Sequence, residues 1–253
     1  SIALTVTGAY KVFCYGLTFR NAGSTNKAFA FGTSDGSAFA LNSCYIWLGT
    51  SSASATISFG PASALNSCTR VADSTLRFGA TGQGILSIGV NEFVGCAVAT
   101  AGSAPTTLFG DPARGSHTTV VGSDLSHCGT GTLVANQASF STIFKFIQCK
   151  LGTNYVARAT PSSPANLSNG ETWIMDCSSG DTHGLFGYYN GQGALTSDTG
   201  IYVTSGAAQQ SWKIVTTSNN SIERPFTSPW ISYWNTATSS MTPYFDILNS
   251  GSS

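Results

Sequence analysis

The chain has 253 residues, only 9% of them charged, and its 11 basic side chains balance its 11 acidic ones. Ordinary domains carry about 25% charge, so Ser, Thr, Asn, Gly and Gln must solvate most of this surface. Lys145 and Lys150 are the nearest thing to a basic cluster. That is too little to displace counterions from nucleic acid or to hold a membrane surface, while a hydrophobic fraction of 42% argues against disorder.

The first residues, Ser1-Ile2-Ala3-Leu4-Thr5-Val6-Thr7, alternate like a strand and lack the charged start of a secretory signal. They begin in mid-pattern without Met, so further residues are expected upstream; a strand-like ending predicts more downstream. Period-2 runs recur at Leu17-Thr18-Phe19, Thr56-Ile57-Ser58-Phe59, Ile201-Tyr202-Val203 and Trp212-Lys213-Ile214, which predicts short strands. Gly, Ser, Asn and Pro punctuate them every few residues. No segment keeps an apolar 3.6-residue period with caps, which argues against helical solenoids. No apolar run approaches the ~20 residues of a membrane helix.

Seven cysteines, Cys14, Cys44, Cys68, Cys96, Cys128, Cys149 and Cys177, stand 30, 24, 28, 32, 21 and 28 residues apart. The mean of about 27 signals a repeat architecture and leaves room for about nine coils. An odd count argues against a full disulfide framework. No two cysteines have C-x-x-C spacing, and the placing of His117, His127 and His183 does not suit a zinc site. The expectation is one thiol per coil, buried as a small hydrophobe and stacked on its equivalents. Three residues before the cysteines stand Leu41, Leu65, Phe93, Leu125, Phe146 and Ile174, with Lys11 the exception, and Leu-Asn-Ser-Cys occurs twice, at 41–44 and 65–68. A second mark is Phe-Gly, at Phe31, Phe59, Phe78, Phe109 and Phe186. Short strands in coils of this length fit an all-β solenoid.

The pieces Lys145-Phe146-Ile147-Gln148-Cys149-Lys150-Leu151 and Leu41-Asn42-Ser43-Cys44-Tyr45-Ile46 resemble the rungs of pectate-lyase-like proteins. In those rungs an inward apolar residue, a turn-forming polar residue and a stacked Cys recur. The resemblance implies a single right-handed parallel β-helix over residues 1–215, with 216–253 as a cap or oligomerisation segment. The chain departs from the pattern in never placing Asn directly before Cys.

Polysaccharide-cleaving enzymes of that fold set acids on one face, and glycoside hydrolysis generally needs two carboxyls. The best set here is Asp176, Asp181 and His183, within Asp-Cys-Ser-Ser-Gly-Asp-Thr-His-Gly. Thr182-His183-Gly184 is faintly similar to the Gly-His-Gly of polygalacturonase-like enzymes, but their paired Asp-Asp and Arg-Ile-Lys are missing. A lone Asp in a Ser/Gly turn serves more often as a turn former. His127-Cys128 would be a nucleophile pair only if the thiol were exposed. No acidic cluster offers calcium its six to eight oxygens, so neither metal nor cofactor is expected. Trp47, Tyr188, Tyr189 and Trp212 are candidates for stacking on sugar rings, or for core or subunit contacts.

Beyond residue 215 the cysteines stop, and residues 222–234 hold Phe226, Trp230, Tyr233 and Trp234 with two prolines. The run Pro-Trp-Ile-Ser-Tyr-Trp and the later Met-Thr-Pro-Tyr resemble terminal segments of β-helical structural proteins from tailed phages. That resemblance implies a spike, fibre or head decoration on the virion surface. Its expected partners are its own copies, as a homotrimer joined through these aromatics, other virion proteins and a host surface polysaccharide. A depolymerase and a bacterial surface adhesin or filament subunit are the other functions in view.

Overall fold

A computed structural model describes residues 2–4, 11–21, 29–31, 36–50, 53–60, 67–110, 116–128, 131–135, 142–159, 171–190, 200–206, 209–215, 233–234 and 243–244, with side chains placed between 11 and 187. Strands stack in parallel to form a β-solenoid with three faces. The long sheet carries Lys11–Tyr15, Ala38–Asn42, Cys68–Ala72, Gly89–Val94, Ser116–Val121, Thr142–Ile147 and Glu171–Ser179, each one coil above the last. A second sheet stacks Ile2–Leu4, Phe29–Phe31, Thr56–Phe59, Gly84–Ser87, Thr107–Phe109, Thr132–Val134 and Val156–Arg158. The short sheet stacks Thr18–Arg20, Tyr45–Trp47, Thr75–Phe78 and Ala97–Thr100, and its course continues through single bridges from Ala97 to Asp124 and on to Lys150.

Because strand side chains alternate in direction, each strand gives one set of residues to the interior. On the long sheet the inward column runs Cys14, Leu41, Val71, Phe93, Val120, Phe146 and Ile174, in direct register. All seven are buried. Aromatic rings form a spine between the sheets. Phe31 stacks on Phe59 at 5.5 Å, Phe59 meets Phe93 edge-on at 5.3 Å, and Phe93 meets Phe109 at 5.6 Å. Each buried ring stabilises by roughly 1.5–3 kcal/mol through area alone, which accounts for cohesion in a chain with few charges.

The corner after each long-sheet strand has a shared backbone conformation. Gly16, Ser43, Asp73, Gly95, Gly122, Gln148 and Asp176 all have φ between 46° and 67°. These seven form a column one residue before the corner position. For the four that are not glycine this left-handed geometry is disfavoured by about 1–3 kcal/mol. A small or polar side chain that bonds locally is the usual way to tolerate it.

Three expectations from sequence are corrected here. Among the described residues the parallel course contains seven long-sheet strands, where about nine coils were expected, and its last long-sheet strand is Glu171–Ser179, where the expectation ran to residue 215. Thr182–Asn190, Gly200–Gly206 and Gln209–Val215 extend the same sheet antiparallel. The reversal is a hairpin at Gly180-Asp181, with φ 56° at Gly180, where glycine suits the first turn position. The Phe-Gly pairs share no single register. Phe31 and Phe59 align with each other, whereas Phe109 aligns with Ile85, Phe78 closes a short-sheet strand and Phe186 lies in the antiparallel part.

Candidate functional site

The cysteines divide by register. Three residues after the inward column stand Leu17, Cys44, Ser74, Cys96, Ser123, Cys149 and Cys177, so four thiols and two hydroxyls share one corner. Cys44, Cys96, Cys149 and Cys177 each donate to a carbonyl of the coil before, those of Cys14, Val71, Val120 and Phe146. In the other direction the corner amide donates to the side chain one coil on: Cys44 to Ser74 Oγ and Cys96 to Ser123 Oγ, both at 3.0 Å, and Cys149 to Cys177 Sγ at 3.4 Å. The remaining three cysteines stand outside this column. Cys14 occupies the inward column and is buried, and Cys128 is buried at the end of the 3-10 turn Ser126–Cys128. Cys68 is exposed as the first residue of its strand, aligned with Ala38 and Val90. Burial pushes the Cys96 thiol up to about 11 and the Cys128 thiol up to about 12, the latter with help from Asp124. Such thiols are protonated at neutral pH, so His127-Cys128 has no activated nucleophile.

The carboxylates described are each engaged in local structure or stand alone. Asp73 and Asp176 occupy the left-handed corner column, and Asp176 Oδ2 accepts from Gln148 Nε2 at 3.2 Å. Glu92 pairs with Arg70 on the next rung at 3.1 Å, and Glu171 accepts from Trp173 Nε1 at 3.2 Å. Asp124 accepts from the amide and hydroxyl of Ser126 and pairs with Lys150 at 3.6 Å. Its partial burial works against ionisation, but these two hydrogen bonds, with Lys150 and His127, outweigh it and lower its pKa. Asp181 is exposed at the hairpin turn and His183 is exposed just after it. Neither makes a side-chain bond to another described residue, and the described residues contain no group of three potential metal ligands. A cavity of about 320 Å³ opens beside Gln83, Thr56, Thr81 and Thr107, and no ionisable side chain lines it.

The outer face of the short sheet holds an arrangement that sequence reasoning touched only through Trp47, one of its candidates for stacking. Register places Arg20, Trp47 and Arg77 directly above one another on three successive coils, with Thr18, Tyr45 and Thr75 in the next outward column. The Arg20 guanidinium lies 4.3 Å from the Trp47 ring centroid and that of Arg77 lies 5.3 Å from it. Arg77 Nη1 also donates to the Tyr45 hydroxyl at 3.0 Å. Each cation–π contact at such a site contributes about 0.5–1 kcal/mol. Among the described residues the ion pairs are Arg70–Glu92 and Lys150–Asp124, so neither Arg20 nor Arg77 has a carboxylate there. The Trp47 Nε1–H is shielded from solvent and has no acceptor among them. The signal in sequence was the i, i+2 pair Tyr45 and Trp47, visible as a platform only once coil lengths bring Arg20 and Arg77 into register.

Of the expected assembly residues, Phe226 and Trp230 lie outside the described residues. Tyr233–Trp234 pairs antiparallel with Pro243–Tyr244. Of the other aromatics, Tyr188, Tyr189 and Trp212 lie in the antiparallel strands. No helix among the described residues is long and apolar enough to cross a membrane. Compared with known protein families, curated proteins and solved structures, the chain matches none.

Proposed function

We propose that this chain is a structural protein of a tailed-bacteriophage virion, a pectate-lyase-like right-handed β-helix serving as spike, fibre or capsid decoration. In this reading it stands on the particle surface as a homotrimer, among other virion proteins. The observation that carries the proposal is the use made of five of the six described carboxylates. Asp73 and Asp176 turn corners, and Glu92, Glu171 and Asp124 are bonded to neighbours. A surface so poor in free charge suits a part that holds shape and meets partners. The test is immunogold electron microscopy, with antibody raised to this chain, on phage particles purified from the source culture. Regular labelling of tails or heads is expected. Label confined to cell envelopes would favour the adhesin instead.

The depolymerase is the second reading, favoured by the exposure of Asp181 and His183 beside one hairpin. Incubation with acidic and neutral bacterial polysaccharides is expected to release no reducing ends or unsaturated uronates. Cleavage that Asp181→Ala abolishes would establish the enzyme.

A further inference from the structure

We infer that Cys149 and Cys177 are a disulfide-forming pair, which staples the last described parallel coil of the solenoid to the coil before it. The inference goes beyond the virion reading and does not depend on it.

Register brings the two thiols together. Ile147 stands against Met175 and Lys150 against Ser178, so Cys149 faces Cys177 one coil away, 28 residues on. At the usual strand spacing their Cα atoms are about 4.8 Å apart, inside the roughly 4.4–6.8 Å that a disulfide spans. Gln148 and Asp176, which precede them, share a φ of 52°, so both side chains turn inward in the same way, and both are buried. The Cys149 amide donates to Cys177 Sγ at 3.4 Å, and the Cys149 thiol donates to the same sulfur.

The rest of the corner column shows that the second thiol is not required for packing. Along it Cys44, Ser74, Cys96, Ser123 and Cys149 alternate thiol and hydroxyl, and the alternation breaks at Cys177. Ser74 and Ser123 accept the neighbouring amide at 3.0 Å, so a serine would serve at 177 as well. What a thiol adds there is its chemistry. The place also matters: Glu171–Ser179 is the strand from which the chain turns back, and a bond closing a loop of 28 residues restricts the unfolded chain.

The reaction is exchange with a low-molecular-weight disulfide, such as that of glutathione. The bond from the Cys149 side chain lowers the Cys177 pKa against the effect of burial, which favours the thiolate that attacks. Attack displaces one small thiolate, which takes up the Cys177 proton, and leaves a mixed disulfide. Cys149 then turns from the Val120 carbonyl, 3.3 Å away, and attacks Cys177 Sγ. The second small thiolate leaves with the Cys149 proton, so the protein pair is oxidised by two electrons and the reagent is reduced to two thiols. Because both sulfurs are buried, exchange takes place as the coil closes during folding.

The test is refolding of the full chain from the reduced, unfolded state, with and without glutathione disulfide, followed by alkylation and peptide mass mapping. With the disulfide present, most chains are expected to carry a bond between the peptides of Cys149 and Cys177. Their thermal midpoint is expected to lie several degrees above that in reductant. Cys177→Ser, which keeps an acceptor at the corner, is expected to fold and to lose this redox-dependent difference, whereas Cys96→Ser retains it. Free thiols at both positions after oxidative refolding, linkage of either one only to other cysteines, or a midpoint difference that survives Cys177→Ser would each overturn the inference.

Discussion

The amide of Cys44 donates to the hydroxyl of Ser74 one coil away at 3.0 Å, and Ser74 in turn donates to the Ala72 carbonyl at 2.6 Å. Cys96 and Ser123 repeat the arrangement. Serine and cysteine thus perform one task at this corner. Each turns a short side chain inward to accept from the preceding coil's N–H, which the left-handed residue before it has taken out of the strand ladder.

The serines should therefore matter as much as the thiols. Removing the oxygen in Ser74→Ala leaves a buried amide without an acceptor, which costs about 1–3 kcal/mol. Ser74→Cys, which copies the bond that Cys177 makes, is expected to lose less. Urea unfolding of the three proteins checks the order; an alanine variant as stable as the parent would contradict it.

Thiol reactivity should separate Cys68 from the other six. Cys68 is exposed, and the rest are buried. In native protein one thiol per chain is expected to react quickly with an aromatic disulfide reagent, the others only on denaturation. Cys68→Ser should remove the fast phase. Two or more fast thiols would show that the corner column opens readily.

Acid should reveal Asp124. Its pKa is lowered in the folded protein, so the folded state binds its proton less readily than the unfolded state does. The stability it contributes is present above the unfolded value of about 4 and is lost as pH falls through the lower folded value. Unfolding midpoints measured from pH 6 down to 2 are expected to fall less steeply in Asp124→Asn than in the parent. Equal slopes would remove Asp124 from the account.

In the proposed homotrimer the aromatic segment 222–248 would join the chains. Several large rings meeting at an axis would bury enough area to offset the cost of bringing chains together. Sedimentation equilibrium is expected to give a trimer for the full chain and a monomer for a version ending at residue 220. A full-length monomer at micromolar concentration would instead mean that these aromatics cover their own solenoid.

How much of this could be read in the residues differs by level. The solenoid was legible, because Phe93-Val94-Gly95-Cys96 and Phe146-Ile147-Gln148-Cys149 carry the coil period openly. The corner was legible only in part. Leu-Asn-Ser-Cys at 41–44 ends in the corner column, but the same four letters at 65–68 end at the start of a strand, with Cys68 facing out. A tetrapeptide does not fix register when loops vary freely, and the coil between Cys44 and Ser74 takes 30 residues where that between Cys96 and Ser123 takes 27. Ser74 and Ser123 were invisible as ladder members because serine is common everywhere in this chain. The Arg20, Trp47 and Arg77 column depends on contacts between residues about one coil apart, which no local pattern announces.

The hairpin at Gly180-Asp181 has a consequence for size. A parallel coil offers the next copy of itself a matching edge, and a rod made only of such coils could lengthen by end-to-end addition without limit. Once Thr182–Asn190 runs back along Glu171–Ser179, that end no longer presents the pattern a further coil would continue. At that end the parallel growth of the solenoid has a finishing point set by two turn residues, Gly180 and Asp181, rather than by how many molecules surround it.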